Sequence, residues 1–188
     1  MLADNVVNAI RRRNMSAEQR REAPKWQWTL STVDWLLAQL PVSSRFQVYI
    51  FNTEAHAAVV DSEGEWLNAA DSLSVERAVA GLAAYAPEAG TSLENAFAAI
   101  DGFAQAPDNI FLLTDGLPTQ GAKTPKKPLV TGQRRRELYI DARAKLPAGV
   151  PVNTILFPME GDPEAAALFW QLALNTQGAF IAPSRDWP

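Results

Sequence analysis

The chain has 188 residues, 47% of them hydrophobic and 20% charged, which suits one globular domain with a core of ordinary size. Its net charge of −4 supplies no global basic field for nucleic acid. It has no cysteine, which excludes disulfide scaffolds, thiolate zinc sites and cysteine catalysis; no apolar run approaches the ~20 residues of a membrane span, and the amino terminus lacks a signal-peptide pattern.

Asp4 to Arg12 reads as a helix, with Val6, Val7 and Ile10 as its apolar stripe and Asp4 at the positive end of its dipole. The arginine runs 11–13 and 134–136 read as solvated helix faces rather than phosphate grips. Within the polar stretch 14–23, Ser16-Ala17-Glu18-Gln19 fits a capping box. Pro24 suits a first helical position. Trp26, Leu30, Val33, Leu37 and Leu40 then recur at helical spacing until Pro41 stops the pattern. Trp28 and Trp35 share another face of that helix, and core packing is the simpler reading for them than a partner-binding patch.

Residues 46–51 form a strand, followed by Asn52. Residues 57–60 form a second, extended toward Trp66 across a turn at Glu63-Gly64, and the short connection makes an antiparallel pair at a sheet edge. Helices follow at 74–84 and 92–104. Ile110 to Thr114 carries no charge and reads as a strand buried on both faces. It ends in Asp115-Gly116, which places a carboxylate at the carboxyl end of a central parallel strand, where open α/β sheets bind ligands. A long loop, 116–132, is broken by Pro118, Gly121, Pro125 and Pro128 and made basic by Lys123, Lys126 and Lys127; loops this long are often functional. A helix at 133–145, a strand at 150–157, a helix at 163–175 and a short strand at 178–182 complete the chain.

Helices alternate with strands throughout, so the expected fold is a three-layer α/β/α domain with a mostly parallel central sheet and one antiparallel edge strand. Gly90-Thr91-Ser92-Leu93-Glu94 opens a helix, and Thr114-Asp115-Gly116 ends the buried strand after it. In this order the two loops resemble the second and third metal loops of the von Willebrand factor A (vWA) domain family. The resemblance covers nearly the whole chain as a single domain, and residues 14–24 are its least family-like part.

The resemblance implies a non-enzymatic protein-binding module. In such a module Mg2+, or Mn2+ or Ca2+, is held at an adhesion site and bound by an Asp or Glu of a partner protein. Thr91 and Asp115 take the places of the second- and third-loop ligands. The family's first loop, Asp-x-Ser-x-Ser, and the strand before it have no counterpart, and Met1 to Asn5 reads as the start of the helix that follows that loop. Asp4 and Asn5 are expected inside that helix, so they do not replace the loop. Two ligands cannot enforce an octahedron against water, so this chain alone is expected to hold no metal. In the family the strand before the first helix lies between the counterparts of 46–51 and 109–114. Its loss would leave a slot open to a strand from another molecule, including a strand-swapped oligomer.

Simpler readings exist for both residues. Thr91 with Glu94 makes a capping box in its own right, and Asp115-Gly116 alone is a common turn. A metal-free scaffold for protein interaction is therefore the alternative function. Enzyme readings lack residues. His56 lies beside an apparent edge strand, where a surface or packing role fits better than catalysis. No phosphate loop, dinucleotide fingerprint or nucleophile elbow is present. Ser31 and Ser184 have no evident base, and Asp101, Asp108 and Asp141 lack metal-ligand spacing. A magnesium-dependent phosphoryl transferase using Asp115 would need a second carboxylate that the sequence does not identify.

Overall fold

Most helix starts follow the side chains that cap them. Asn5 accepts from the Asn8 N–H and opens α1 (Val6–Arg13). Ser16 and Gln19 close a reciprocal capping box on α2 (Ala17–Arg21), as the sequence predicts. Pro24 occupies the first turn of α3 (Pro24–Ala38), where its missing N–H costs nothing. Asp71 caps α4 (Ser72–Ala84), Ser92 caps α5 (Leu93–Ala98), which continues into a 3-10 turn (Ala99–Gly102), and Thr131 caps α6 (Gly132–Arg143). α7 (Ala165–Thr176) has no side-chain cap. This computed structural model describes residues 1–123, 130–184 and 186–187. Pro125, Lys126, Lys127 and Pro128 of the expected basic loop lie outside the described residues.

The strands gather into three small sheets. β5 (Ile110–Thr114), β6 (Val152–Leu156) and β7 (Phe180–Ile181) form a parallel sheet in that order. β2 (Tyr49–Phe51) pairs antiparallel with β3 (Ala55–Ala57). β1 (Arg45–Phe46) pairs antiparallel with β4 (Leu67–Asn68). The single strand expected at 46–51 is thus two, and Gln47 explains the break. Its Oε1 accepts from the Val48 N–H at 2.9 Å, while its amide donates to the Ser62 and Glu65 carbonyls. The antiparallel hairpin strand falls at Ala55–Ala57, slightly before the expected 57–60.

The main core lies against the parallel sheet. Leu93 and Phe97 of α5, Leu112 of β5, Tyr139 of α6, Val152 of β6 and Phe169 and Leu172 of α7 are all buried in it. A second cluster joins Trp26 of α3 and Leu82 of α4 to Ala58, with Val48 and Ile50 packed against it. Trp28 meets Phe157 edge-on, with ring centroids 4.9 Å apart, so it packs as expected, whereas Trp35 on the same face is 40% exposed. Helices on both faces of an α/β sheet give the three-layer arrangement expected.

The expected burial of β5 on both faces does not hold: Phe111 is 46% exposed. Its side chain projects from the face opposite Leu112, which lies in the main core. Among the described residues the strand also lacks a neighbour along one edge. Ile110 N–H donates to Pro151, and the Thr114 carbonyl accepts from Phe157 N–H. In a parallel ladder alternate residues address the partner, so Ile110, Leu112 and Thr114 face β6, and the backbone groups of Phe111 and Leu113 face away. Among the described residues no strand pairs with that side. The same holds for β2. The Val48 carbonyl accepts from Ala58 N–H, and Asn52 N–H donates to Glu54, so the backbone groups of Tyr49 and Phe51 face away from β3 with no strand beyond them. Phe51 packs against the core that holds Leu112.

Helix α4 approaches the hairpin closely at one glycine. A Cβ on Gly81 would stand 1.9 Å from the Ala58 carbonyl oxygen, a backbone atom that cannot move aside. Gly81→Ala is expected to cost about 1–3 kcal/mol or more through overpacking, and to lower the melting temperature by about 2–4 °C per kcal/mol; calorimetric melting checks it.

Candidate functional site

The carboxyl ends of β2 and β5 meet at one rim. Ser92 N–H donates to the Asn52 carbonyl. Asn95 and Gln120, the latter in the loop leaving β5, both donate side-chain amides to the Thr53 carbonyl. Asp115 opens that loop. Thr91 is tied to its far side: its N–H donates to Thr119 Oγ1 at 2.8 Å, and its carbonyl accepts from the N–H groups of Thr119 and Gln120. Gly90 permits the approach, since a Cβ there would stand 2.7 Å from Thr119 Oγ1. Asp115 and Thr91 therefore border the same loop.

Thr91 is not the helix cap that its spacing to Glu94 suggests. Ser92 takes that role, accepting from Asn95 N–H and donating its hydroxyl to the Gly121 carbonyl. Glu94 instead accepts from Ala122 N–H at 2.8 Å. The helix starts one residue later than a Thr91 cap requires.

Asp115 is paired with cations. Its Oδ2 lies 3.1 Å from the Lys25 ammonium and 3.0 Å from the Met1 ammonium. Lys25 also donates to the Pro158 carbonyl at 2.6 Å and lies 3.6 Å from Asp4 Oδ1. Burial works to raise the Asp115 carboxyl, but the Met1 and Lys25 charges and their hydrogen bonds outweigh it and hold the group below the usual carboxylate range. Asp4 thus stands outside α1, on the segment leading to it, because Asn5 caps the helix.

Sequence reasoning missed Lys25, whose side chain is only 2% exposed. One signal was available. A lysine in the first turn of a helix opposes the dipole, and this one sits between Ala23 and Trp26, both buried. It also missed Arg135. That guanidinium bonds the Leu117 carbonyl at 2.6 Å and Asp162 Oδ2 at 2.7 Å, and Asp162 Oδ2 accepts from Leu117 N–H at 2.7 Å. Only Arg134 and Arg136 of that run make the exposed pairs of a solvated face, with Glu137 and Glu164. His56, 58% exposed, pairs with Glu54 at 3.2 Å on the surface.

Among solved structures, a von Willebrand factor type A protein from Catenulispora acidiphila matches 90% of this chain with a TM-score of 0.66 and 17% sequence identity. The fold is vWA-like. The chain spans 37% of the length of that relative, and identity this low speaks for the fold alone. No family model and no curated protein matches the sequence.

A vWA-like fold raises the question of a metal at Asp115. Magnesium asks for about six oxygens in an octahedron. Here Asp115 Oδ2 is already in contact with the buried Lys25 ammonium. A divalent cation on that oxygen would meet a like charge at ion-pair range, in a partly desolvated place where repulsion is strong. Among the described residues no group of three or more His, Asp or Glu is placed to hold a metal ion. These residues do not fit a magnesium ion at Asp115.

Because Asp115 is held below its unfolded value, it stabilises the fold above the unfolded pKa of about 3.9, and that stability is lost as pH falls through the folded value. Urea unfolding of the wild type and of Asp115→Asn across pH checks this. The gap between them should be widest at neutral pH and should close as pH drops below about 4.

Proposed function

We propose that this chain is a non-catalytic protein-interaction module that binds its partner without a metal, by strand addition between β2 and β5. The observation that carries this reading is the pair of open strand edges, Tyr49 and Phe51 on one side and Phe111 and Leu113 on the other. Unpaired backbone groups on a strand edge are a template for another extended chain. The flanking side chains are apolar and only partly covered. The occupant that fits is an extended, apolar segment of a second polypeptide.

Adhesion through Mg2+ on Thr91 and Asp115, with an acidic partner side chain completing the shell, is the other form of a vWA-type reading. The Lys25 pair speaks against it. His56 pairs with Glu54 on the surface, and Asp115 pairs with ammonium groups, so neither is free to act in catalysis. No helix of the described residues is long and apolar enough to cross a membrane.

A fluorescent peptide of alternating valine and leucine, flanked by lysines for solubility, tests the slot by polarisation. The wild type should bind it, and a peptide with a central proline should not bind. Leu113→Pro removes an N–H that faces the slot and leaves the ladder to β6, which uses the alternate residues; proline is tolerated on edges of this kind. That variant should keep its fold by circular dichroism and lose the peptide. Equal binding by Leu113→Pro, or no binding by the wild type, sinks the proposal.

A further inference from the structure

We propose that Lys25 is a tethered cation that takes the place of a divalent metal at Asp115, so that the rim of this vWA-like fold is assembled without metal. The inference deepens the metal-free reading above and rests on it only for its functional meaning. A metal at such a rim would cross-link the ends of several segments through their oxygens. Lys25 does this with one ammonium. It joins α3 to the end of β5 through Asp115, to the segment after β6 through the Pro158 carbonyl, and to the segment before α1 through Asp4. An ammonium has three donors, and three oxygens surround this one.

The placement of Lys25 has no local rationale. A positive charge in the first turn of α3 opposes the helix dipole. A long charged side chain is normally left in water, yet this one is 2% exposed. Its backbone is fixed by Pro24 before it and by the Thr29 hydroxyl, which donates to the Lys25 carbonyl at 2.8 Å. The Met159 sulfur lies 4.0 Å from Nζ. The lysine is thus aimed at the carboxylate by the packing of α3, and the compensation for its burial is the oxygen set at the rim.

Thermal melting of the purified chain, stripped with chelator and then supplied with millimolar magnesium or manganese, is the test. The wild type should melt at the same temperature with and without either metal. Lys25→Met keeps the length and removes the buried charge, which leaves Asp115 with the Met1 ammonium as its remaining cation. Its melting temperature should fall by about 5 °C, below the full scale for a buried charge losing its counter-ion because Asp115 keeps the Met1 ammonium. Adding Asp115→Asn to Lys25→Met should recover part of that loss, the Met1 ammonium then losing its carboxylate. A clear rise in the wild-type melting temperature with either metal overturns the proposal, as does a double variant no more stable than Lys25→Met. Should Lys25→Met fail to fold, the double variant and the wild-type metal response still decide. None of these readings involves a partner, so a failure here is separate from a failure of peptide binding.

Discussion

The ammonium of Lys25 meets the carboxylate of Asp115 across 90 residues of chain, and the geometry of the rim depends on that contact. The pair is largely withdrawn from water, with the Asp115 side chain 22% and the Lys25 side chain 2% exposed. Such a pair costs desolvation on both sides, and its net contribution is modest while it stays whole. Its consequence is positional. Without Asp115 the buried Lys25 ammonium would keep only the Pro158 carbonyl and Asp4 at 3.6 Å, so the contact draws α3, the end of β5 and the segment after β6 together.

A second buried pair fixes the loop that leaves β5. Asp162 receives both the Arg135 guanidinium and the Leu117 N–H on one oxygen, and Arg135 reaches the Leu117 carbonyl as well. Leu117 is thereby held at both its backbone groups. Gly116 belongs to this arrangement, since a Cβ there would stand 2.6 Å from Asp162 Oδ2. Farther along the loop, Thr119 and Gln120 bind Thr91, and Gly121 and Ala122 bind Ser92 and Glu94. The loop is thus stitched to α5 on one side and to α6 and the segment before α7 on the other. This gives the rim a defined shape although no strand runs through it.

The open edges of β2 and β5 follow from the same layout. Each strand is satisfied on one side by its own neighbour, β3 or β6, and each has its alternate backbone groups turned the other way. α5 and the main core lie beneath both strands, with Phe51 and Leu112 in one cluster. Side-chain packing therefore joins two sheets that backbone hydrogen bonds do not join. Among the described residues β2 and β5 are thus joined through side chains and loop contacts, with no backbone ladder between them.

Local chemistry made much of this legible in the sequence. The capping box at Ser16, Pro24 at the head of α3, the apolar runs of β5 and β6, and Asp115 at a strand end all follow from spacings of a few residues, and the alternation of helices with strands gives the parallel pairing of β5 with β6. Neighbour choice is where local reading failed. Ser92 and not Thr91 caps α5, and Gln47 breaks a strand that its apolar pattern would continue, because each side chain found a better partner in the fold. Lys25 with Asp115 and Arg135 with Asp162 lie 90 and 27 residues apart. No periodicity links such residues, so a buried lysine reads as an ordinary helix charge until the chain is folded. The sequence by itself determined the order of helices and strands, most of their positions and the carboxylate at the strand end, since these depend on backbone preference and hydrophobic spacing. The tertiary structure alone decided what that carboxylate faces, since the cost of a buried charge depends on every segment that packs around it.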